Sequence, residues 1–153
     1  MKKRQNILVL VICLIIVYLV AFIGSLLTNP GVKSSWYEQV RPSLTPPNWV
    51  FPVAWTILFF LIALSLYFAW GNNKQRKTTA ILFGINFVLN IAWSAIYFGL
   101  RNPLYAFIEI ILLWISILSM IIVLRKINKT SSWLLIPYLL WVSFASVLTY
   151  LSI

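Results

Sequence analysis

Five stretches of this chain, residues 7–27, 49–70, 78–100, 104–124 and 132–152, run for more than twenty residues each, and Glu109 is the only charge among them. A helix rises about 1.5 Å per residue, so each stretch is long enough to cross a hydrocarbon core of roughly 30 Å. The composition agrees. The chain is 62% hydrophobic and 9% charged, against roughly 25% charged in ordinary soluble domains. No water-soluble fold of 153 residues could cover that much apolar surface, and lipid is the expected solvent. The reading is an all-α membrane protein. It forms one domain over 1–153, a bundle of five transmembrane helices with a long lid loop at 28–48.

The formal net charge of +10 suggests nucleic acid at first sight. The placement of the basic residues argues for a membrane instead. They sit in the short gaps between apolar runs, as in cytoplasmic membrane loops. Lys2, Lys3 and Arg4, then Lys74, Arg76 and Lys77, then Arg125, Lys126 and Lys129 fall on one side of a five-span topology. Only Lys33, Arg41 and Arg101 fall on the other. The positive-inside rule therefore puts the N-terminus in the cytoplasm, with the first loop and the C-terminus outside the cell membrane. The first apolar run exceeds the length of a signal-peptide core and has no small-residue cleavage site after it, so it is expected to stay as a span.

The inventory excludes several chemistries. There is no histidine and a single cysteine, Cys13, so no disulfide, zinc site or Ser-His-type nucleophile pair can be built within the chain. The two acidic residues, Glu38 and Glu109, lie in different regions, which argues against a two-carboxylate hydrolase. The five glycines form no phosphate-binding pattern. No metal site and no required cofactor are expected.

What remains is aromatic. Residues 36–55 hold three of the eight tryptophans and four of the seven prolines. Pro42, Pro46 and Pro47 stiffen the loop. It reads either as a defined lid over a ligand or as an interfacial segment with Trp36 and Tyr37 at headgroup level. The second span is expected to start between Asn48, a fair N-cap, and Pro52. It carries Phe51, Trp55 and Phe59 as a stripe that faces either the bundle or lipid. In the third span, Asn86, Asn90, Trp93 and Tyr97 share one face. Two amides exposed to hydrocarbon are costly, so this face points inward. Asn86 and Asn90 read first as helix-bridging hydrogen bonders, and Trp93 reads as ligand-facing. Ala80 and Gly84 form a small-residue pair that suggests a dimer.

The fourth span carries Glu109 on a face with Tyr105 and Ser116. A carboxyl at this depth is a functional-site hypothesis by default, set against a bridging hydrogen bond to an asparagine of the third span. Ser131 or Ser132 is expected to cap the fifth helix, with Pro137 bending its second turn. Pro137, Trp141, Phe144, Ala145 and Leu148 line one side.

Three motifs resemble those of the tryptophan-rich sensory protein/translocator protein (TspO/MBR) family, also called peripheral-type benzodiazepine receptors. They are W-Y…R-P…P-P-x-W-V-F-x-x-x-W-T-x-L over 36–58, L-N-x-A-W-S-x-x-Y-F-G over 89–99 and P-Y-L-x-W-V-x-F-A over 137–145. The resemblance implies a five-helix bundle, usually dimeric, with a site between helices beneath the first loop. It implies binding of porphyrins such as protoporphyrin IX and haem, and of isoquinoline- and benzodiazepine-type ligands. Carried onto this chain, Tyr37, Trp55, Phe59, Trp93 and Trp141 would be site aromatics, with Asn90 and Ala145 beside them. Trp55 and Trp141 match a pair implicated in light- and oxygen-dependent porphyrin breakdown, the only catalytic roles expected. Arg41, Pro47, Phe51, Tyr97 and Glu109 complete the candidate set. Thr149 stands where the family often has asparagine, and no basic residue follows Tyr150, which puts cholesterol handling in doubt.

Four functions compete: a membrane receptor for a flat porphyrin stacked on indoles, a tetrapyrrole or lipid transporter, a photo-oxidative porphyrin-degrading enzyme, and a scaffold whose aromatics only pack. The receptor reading leads. Its expected partners are a flat apolar small molecule, membrane lipid and a second copy of the chain.

Overall fold

The computed structural model of the chain describes residues 2–153, with side chains from Asn6 onward. The N-terminal basic side chains used for the topology thus lie outside the described residues. Seven α-helices follow in order: α1 (Lys2–Val32), α2 (Ser35–Val40), α3 (Val50–Trp70), α4 (Arg76–Ser94), α5 (Pro103–Ile127), α6 (Lys129–Leu134) and α7 (Ile136–Leu151). They make five helical segments long and apolar enough to cross a membrane: Asn6–Val32, Val50–Trp70, Asn73–Gly99, Pro103–Ile127 and Lys129–Leu151. No strand occurs among the described residues.

The bundle is sorted by size and polarity more than by hydrophobicity, because lipid removes the penalty on exposed apolar side chains. Leu19, Phe22, Ile57, Val88, Leu112 and Leu140 all face outward. The interior takes Cys13, Val17, Ile62, Ala63, Ala69, Phe83, Ile117 and Met120. Buried hydroxyls join the spans. Ser65 Oγ on α3 donates to the Ser131 carbonyl at 2.8 Å, and Ser131 Oγ donates to the Ser65 carbonyl at 2.7 Å. Ser132 Oγ donates to Ile121 O on α5.

Several boundaries differ from expectation. α1 runs past residue 27 to Val32 and includes Pro30. A proline removes one helical hydrogen bond, and here the last turn is held by tertiary contact: a Cβ on Gly31 would collide with the Phe98 ring. The lid is therefore not one loop from 28 to 48. Its first residues belong to α1, and residues 35–40 form α2, capped by Ser34, whose Oγ accepts the Tyr37 N–H at 3.2 Å. Glu38 in the first turn complements the helix dipole. Residues 33–34 and 41–49 remain irregular, the latter with turns closed by Thr45 N–H to Pro42 O and Val50 N–H to Pro47 O.

Asn48 is not a cap, since Trp49 precedes α3 and makes no side-chain cap bond. The third span continues from α4 into one π-helical turn, Ala95–Gly99, where Leu100 N–H reaches Ala95 O at 2.9 Å. Arg101 then takes φ 51°, the left-handed conformation, and Asn102 caps α5 by accepting the Tyr105 N–H at 3.1 Å. The fifth span is interrupted at Leu135, two residues before Pro137. Pro137 stands in the first turn of a new helix, α7. The span's N-terminal cap, on α6, is Asn128, whose Oδ1 accepts the Ser131 N–H at 3.0 Å. Ser131 and Ser132 are buried instead and serve the interhelical bonds above.

Candidate functional site

Two aromatic clusters form within the bundle, and Trp93 packs against the one that receives α2. The first lies between α3 and α7. Helical spacing stacks Phe51, Trp55 and Phe59 on one side of α3, and the bundle settles which way that side points. Phe59 is buried, Phe51 and Trp55 are half-buried, and their neighbours Val53, Ile57 and Phe60 take the outer surface. α7 brings Tyr138, Trp141 and Phe144. Trp55 meets Trp141 edge-on at 6.4 Å between ring centroids, Tyr138 edge-on at 6.1 Å and Phe59 tilted at 5.3 Å. Phe51 meets Trp141 at 6.0 Å, and Trp141 meets Phe144 at 5.8 Å. The contacts of Trp55 with Trp141 and Tyr138, and of Phe51 with Trp141, are the edge-on geometry that ring quadrupoles favour. Tyr18 of α1 closes one flank, its ring 6.5 Å from Phe59 and its hydroxyl donating to Thr56 O at 2.9 Å.

The second cluster is where α2 docks. Trp36 and Tyr37 lie edge-on to Tyr97 at 5.5 and 6.4 Å, and Tyr37 meets Phe98 at 5.6 Å. The π-turn turns both Tyr97 and Phe98 inward. Trp93 stacks on Tyr97 at 5.0 Å and 17°, and the Tyr97 hydroxyl bonds the Ser152 hydroxyl at 2.9 Å. Burial pushes the Tyr37 phenol above its ordinary range, Tyr97 adds to this and Arg41 opposes it.

A polar thread runs beneath the first cluster. Asn90 Nδ2 donates to the Tyr138 hydroxyl at 2.9 Å, and that hydroxyl donates to Asn86 Oδ1 at 3.2 Å. Asn86 Nδ2 lies 3.5 Å from Ser116 Oγ. The asparagines thus tie α4 to α7 and α5, as helix-bridging amides. Trp114 Nε1 donates to Ser143 Oγ at 2.8 Å and joins α5 to α7 again.

The expected residues are therefore distributed over several places. Phe51, Trp55, Phe59, Trp141 and, through Tyr138, Asn90 converge on the first cluster. Tyr37, Trp93 and Tyr97 meet in the second. Ala145 is half-buried on α7, and its carbonyl accepts from the buried Thr149 hydroxyl. Arg41 and Pro47 are exposed beyond α2. Tyr105 is exposed, so it does not share an inward face with Glu109. Glu109 is buried, but it makes no bond to an asparagine. Neither of its oxygens has a hydrogen-bond partner among the described residues, and the same holds for Trp93 Nε1.

Tyr138, the fully buried centre of the polar thread, was not singled out by sequence. Its position three residues before Trp141, on the same helix face, was the available signal. A cleft of about 250 Å³ lined by Asn6, Val9, Tyr67, Phe68, Trp70, Gly71 and Arg76 lies at the opposite end of α3 and shares no residue with either cluster. Ala80 and Gly84 are exposed, with open space around Gly84.

Known proteins resemble this chain over most of its length. Residues 12–152 match the model of the TspO/MBR family. The chain is 39% identical over 152 residues to a tryptophan-rich protein TspO of Chlorobaculum tepidum, covering 96% of this chain and 95% of that one. It is 41% identical to the TspO of Archaeoglobus fulgidus over 95% of each. The translocator protein of Ovis aries is 28% identical over 78% of this chain and 74% of its own.

Proposed function

The chain belongs to the TspO/MBR family, and from that membership we propose that it binds porphyrins and other flat apolar ligands inside the helix bundle. It is a multi-pass membrane protein. The observation that carries the binding reading is the Trp55–Trp141 pair. Two half-buried indoles from α3 and α7 meet edge-on at 6.4 Å, with Phe51, Phe59 and Tyr138 around them and a capped helix, α2, docked nearby. Indoles offer large rigid faces at little entropic cost, and half-burial leaves part of each ring for a ligand. Protoporphyrin IX, haem-like tetrapyrroles and isoquinoline- or benzodiazepine-type compounds share the flat apolar body that such a site selects. Exposed Arg41 lies where a propionate at the outer edge could pair with it.

We place the protein in the cell membrane with its N-terminus cytoplasmic and α2 outside, on the distribution of basic loops, and propose a homodimer. No conventional acid–base apparatus is needed for the second reading, photo-oxidative porphyrin breakdown. The contact between Trp55 and Trp141 favours it, because it gives an excited ligand two adjacent oxidisable rings.

The test titrates purified protein with protoporphyrin IX in the dark and then under light, for the wild type and for Trp55→Phe/Trp141→Phe. Saturable binding without new absorbing products supports a receptor. Products that disappear in the double variant support degradation. Absence of saturable binding rejects both. A vesicle flux assay addresses transport separately, and measurable porphyrin flux would favour a transporter over both readings.

A further inference from the structure

The cleft of about 250 Å³ at the Trp70 end of α3 opens between α1, α3 and the start of α4. It is smaller than the roughly 300–1,000 Å³ of sites for drug-sized ligands, and its lining is graded along the helix axes. Asn6, Gly71 and Arg76 stand at the end of the bundle. Val9, three residues beyond Asn6, and Tyr67 and Phe68, before Gly71, stand about 4–6 Å deeper by helical rise. A polar mouth above an apolar floor matches a phospholipid, whose headgroup lies at the interface and whose acyl chains begin just below it.

The mouth is electropositive. Lys74, Arg76 and Lys77 fall within four residues. The chain's two acids, Glu38 of α2 and Glu109 of α5, belong to the other end of the bundle. Arg76 is held from two sides. Its Nε donates to the Trp70 carbonyl at 3.1 Å, one of those that the end of α3 leaves without an intrahelical partner. Its guanidinium carbon lies 5.3 Å from the Trp70 ring centroid, within cation–π range. Capping α3 in this way uses one of the five guanidinium N–H donors. The four on the two terminal nitrogens have no hydrogen-bond partner among the described residues. A planar fork of this kind grips two oxygens of one phosphate.

We propose that this cleft is a site for one anionic phospholipid. Arg76 pairs with the phosphodiester oxygens, Asn6 hydrogen-bonds the headgroup, and the first segment of an acyl chain lies on Val9, Tyr67 and Phe68. The exposed Lys74 and Lys77 add the attraction that sets an anionic lipid above a zwitterionic one. On the distribution of basic loops, this is a lipid of the cytoplasmic leaflet. The cleft shares no residue with the aromatic clusters, so its failure as a lipid site leaves the porphyrin reading standing.

The test uses the full chain, delipidated in a neutral detergent and offered equimolar dioleoylphosphatidylglycerol and dioleoylphosphatidylcholine, with bound lipid counted by native mass spectrometry. The wild type is expected to retain one phosphatidylglycerol per chain, with a preference of about tenfold. Arg76→Gln should lower that preference about fivefold or more. Arg76→Lys keeps the charge but loses the planar fork and the stacking, and should lose most of the preference too. Lys126→Gln removes an exposed cation at the end of α5 on the same side and should leave it unchanged. Each preference is a ratio within one variant, so altered folding drops out.

The proposal is overturned if the wild type takes the two lipids equally, or if Arg76→Gln or Arg76→Lys keeps the wild-type preference. It is also overturned if Lys126→Gln lowers the preference as much as Arg76→Gln, since diffuse charge would then explain it. Thermal unfolding with soluble glycerophosphate in place of lipid separates the two sources of phosphate. Stabilisation by glycerophosphate in the millimolar range equal to that by phosphatidylglycerol overturns the assignment to lipid, and little or no stabilisation supports it.

Discussion

Replacing Tyr138 by Phe tests the polar thread with one atom. Tyr138 is fully buried. Its hydroxyl accepts from Asn90 at 2.9 Å and donates to Asn86 at 3.2 Å. Phe keeps the edge-on ring contact with Trp55 at 6.1 Å, so packing is nearly unchanged. The loss is two interhelical hydrogen bonds. Such bonds average about 0.6 kcal/mol in a membrane bundle and reach about 1.5 kcal/mol in general. Two of them give about 1–3 kcal/mol. The upper half of that range applies if Asn90 Nδ2 finds no substitute, because a buried donor left unpaired carries its full desolvation cost. Asn86 Nδ2 keeps its donation to Ser116 Oγ at 3.5 Å, but the atom that loses its partner is the Asn86 Oδ1 acceptor.

The assay is reversible unfolding in mixed micelles, with Tyr105→Phe as the control, since that hydroxyl sits on an exposed side chain. A double-mutant cycle with Asn90→Leu should show coupling of about 0.5 kcal/mol or more. If Tyr138→Phe lies within about 0.3 kcal/mol of the control and the cycle is additive, the thread does not hold α4 to α7 and the reasoning fails.

Gly31→Ala should destabilise the fold by about 1–3 kcal/mol through overpacking, because its Cβ would collide with the Phe98 ring. Adding Phe98→Ala to Gly31→Ala should cost less than the two single changes summed, whereas Gly84→Ala, with open space, should be neutral or stabilising by up to about 1 kcal/mol; thermal unfolding of the three single variants and the double checks the set. Asn102→Ala removes the cap on α5 and should cost about 0.5–2 kcal/mol by the same measurement. For Tyr37, burial favours the neutral phenol, so its folded-state value lies above the unfolded one. The stability it contributes is full below the ordinary tyrosine range of about 10 and declines as pH rises through the folded value. Protease sensitivity of the α2 region should therefore increase in that window for wild type and not for Tyr37→Phe.

The spans were legible because they depend on composition over twenty residues, which no tertiary contact overrides in lipid. So was the bridging role of Asn86 and Asn90, since hydrocarbon leaves an amide few alternatives. Features set by contacts between distant residues were not legible. α1 continues through Pro30 because Phe98 packs on Gly31. α2 forms because Ser34 caps it and Tyr97 and Phe98 receive its aromatics, and neither partner is adjacent in sequence. The π-turn and the left-handed Arg101 arise from closing α4 onto α5. Glu109 was expected to find an asparagine, but Tyr138, a residue the sequence did not flag, already holds both. The direction of the Phe51–Trp55–Phe59 stripe was open on periodicity alone and is decided by Tyr138 and Trp141 of α7.

The central claim is that the cluster between α3 and α7 is the ligand site. The most direct measurement is the dark dissociation constant of protoporphyrin IX for wild type, Trp141→Ala and Trp133→Ala. Trp141 sits half-buried in the cluster, whereas Trp133 on α6 is 66% exposed. The account predicts saturable binding, weakened about tenfold or more by Trp141→Ala and unchanged by Trp133→Ala. Equal affinities for all three proteins, or no saturable binding by the wild type, would contradict it.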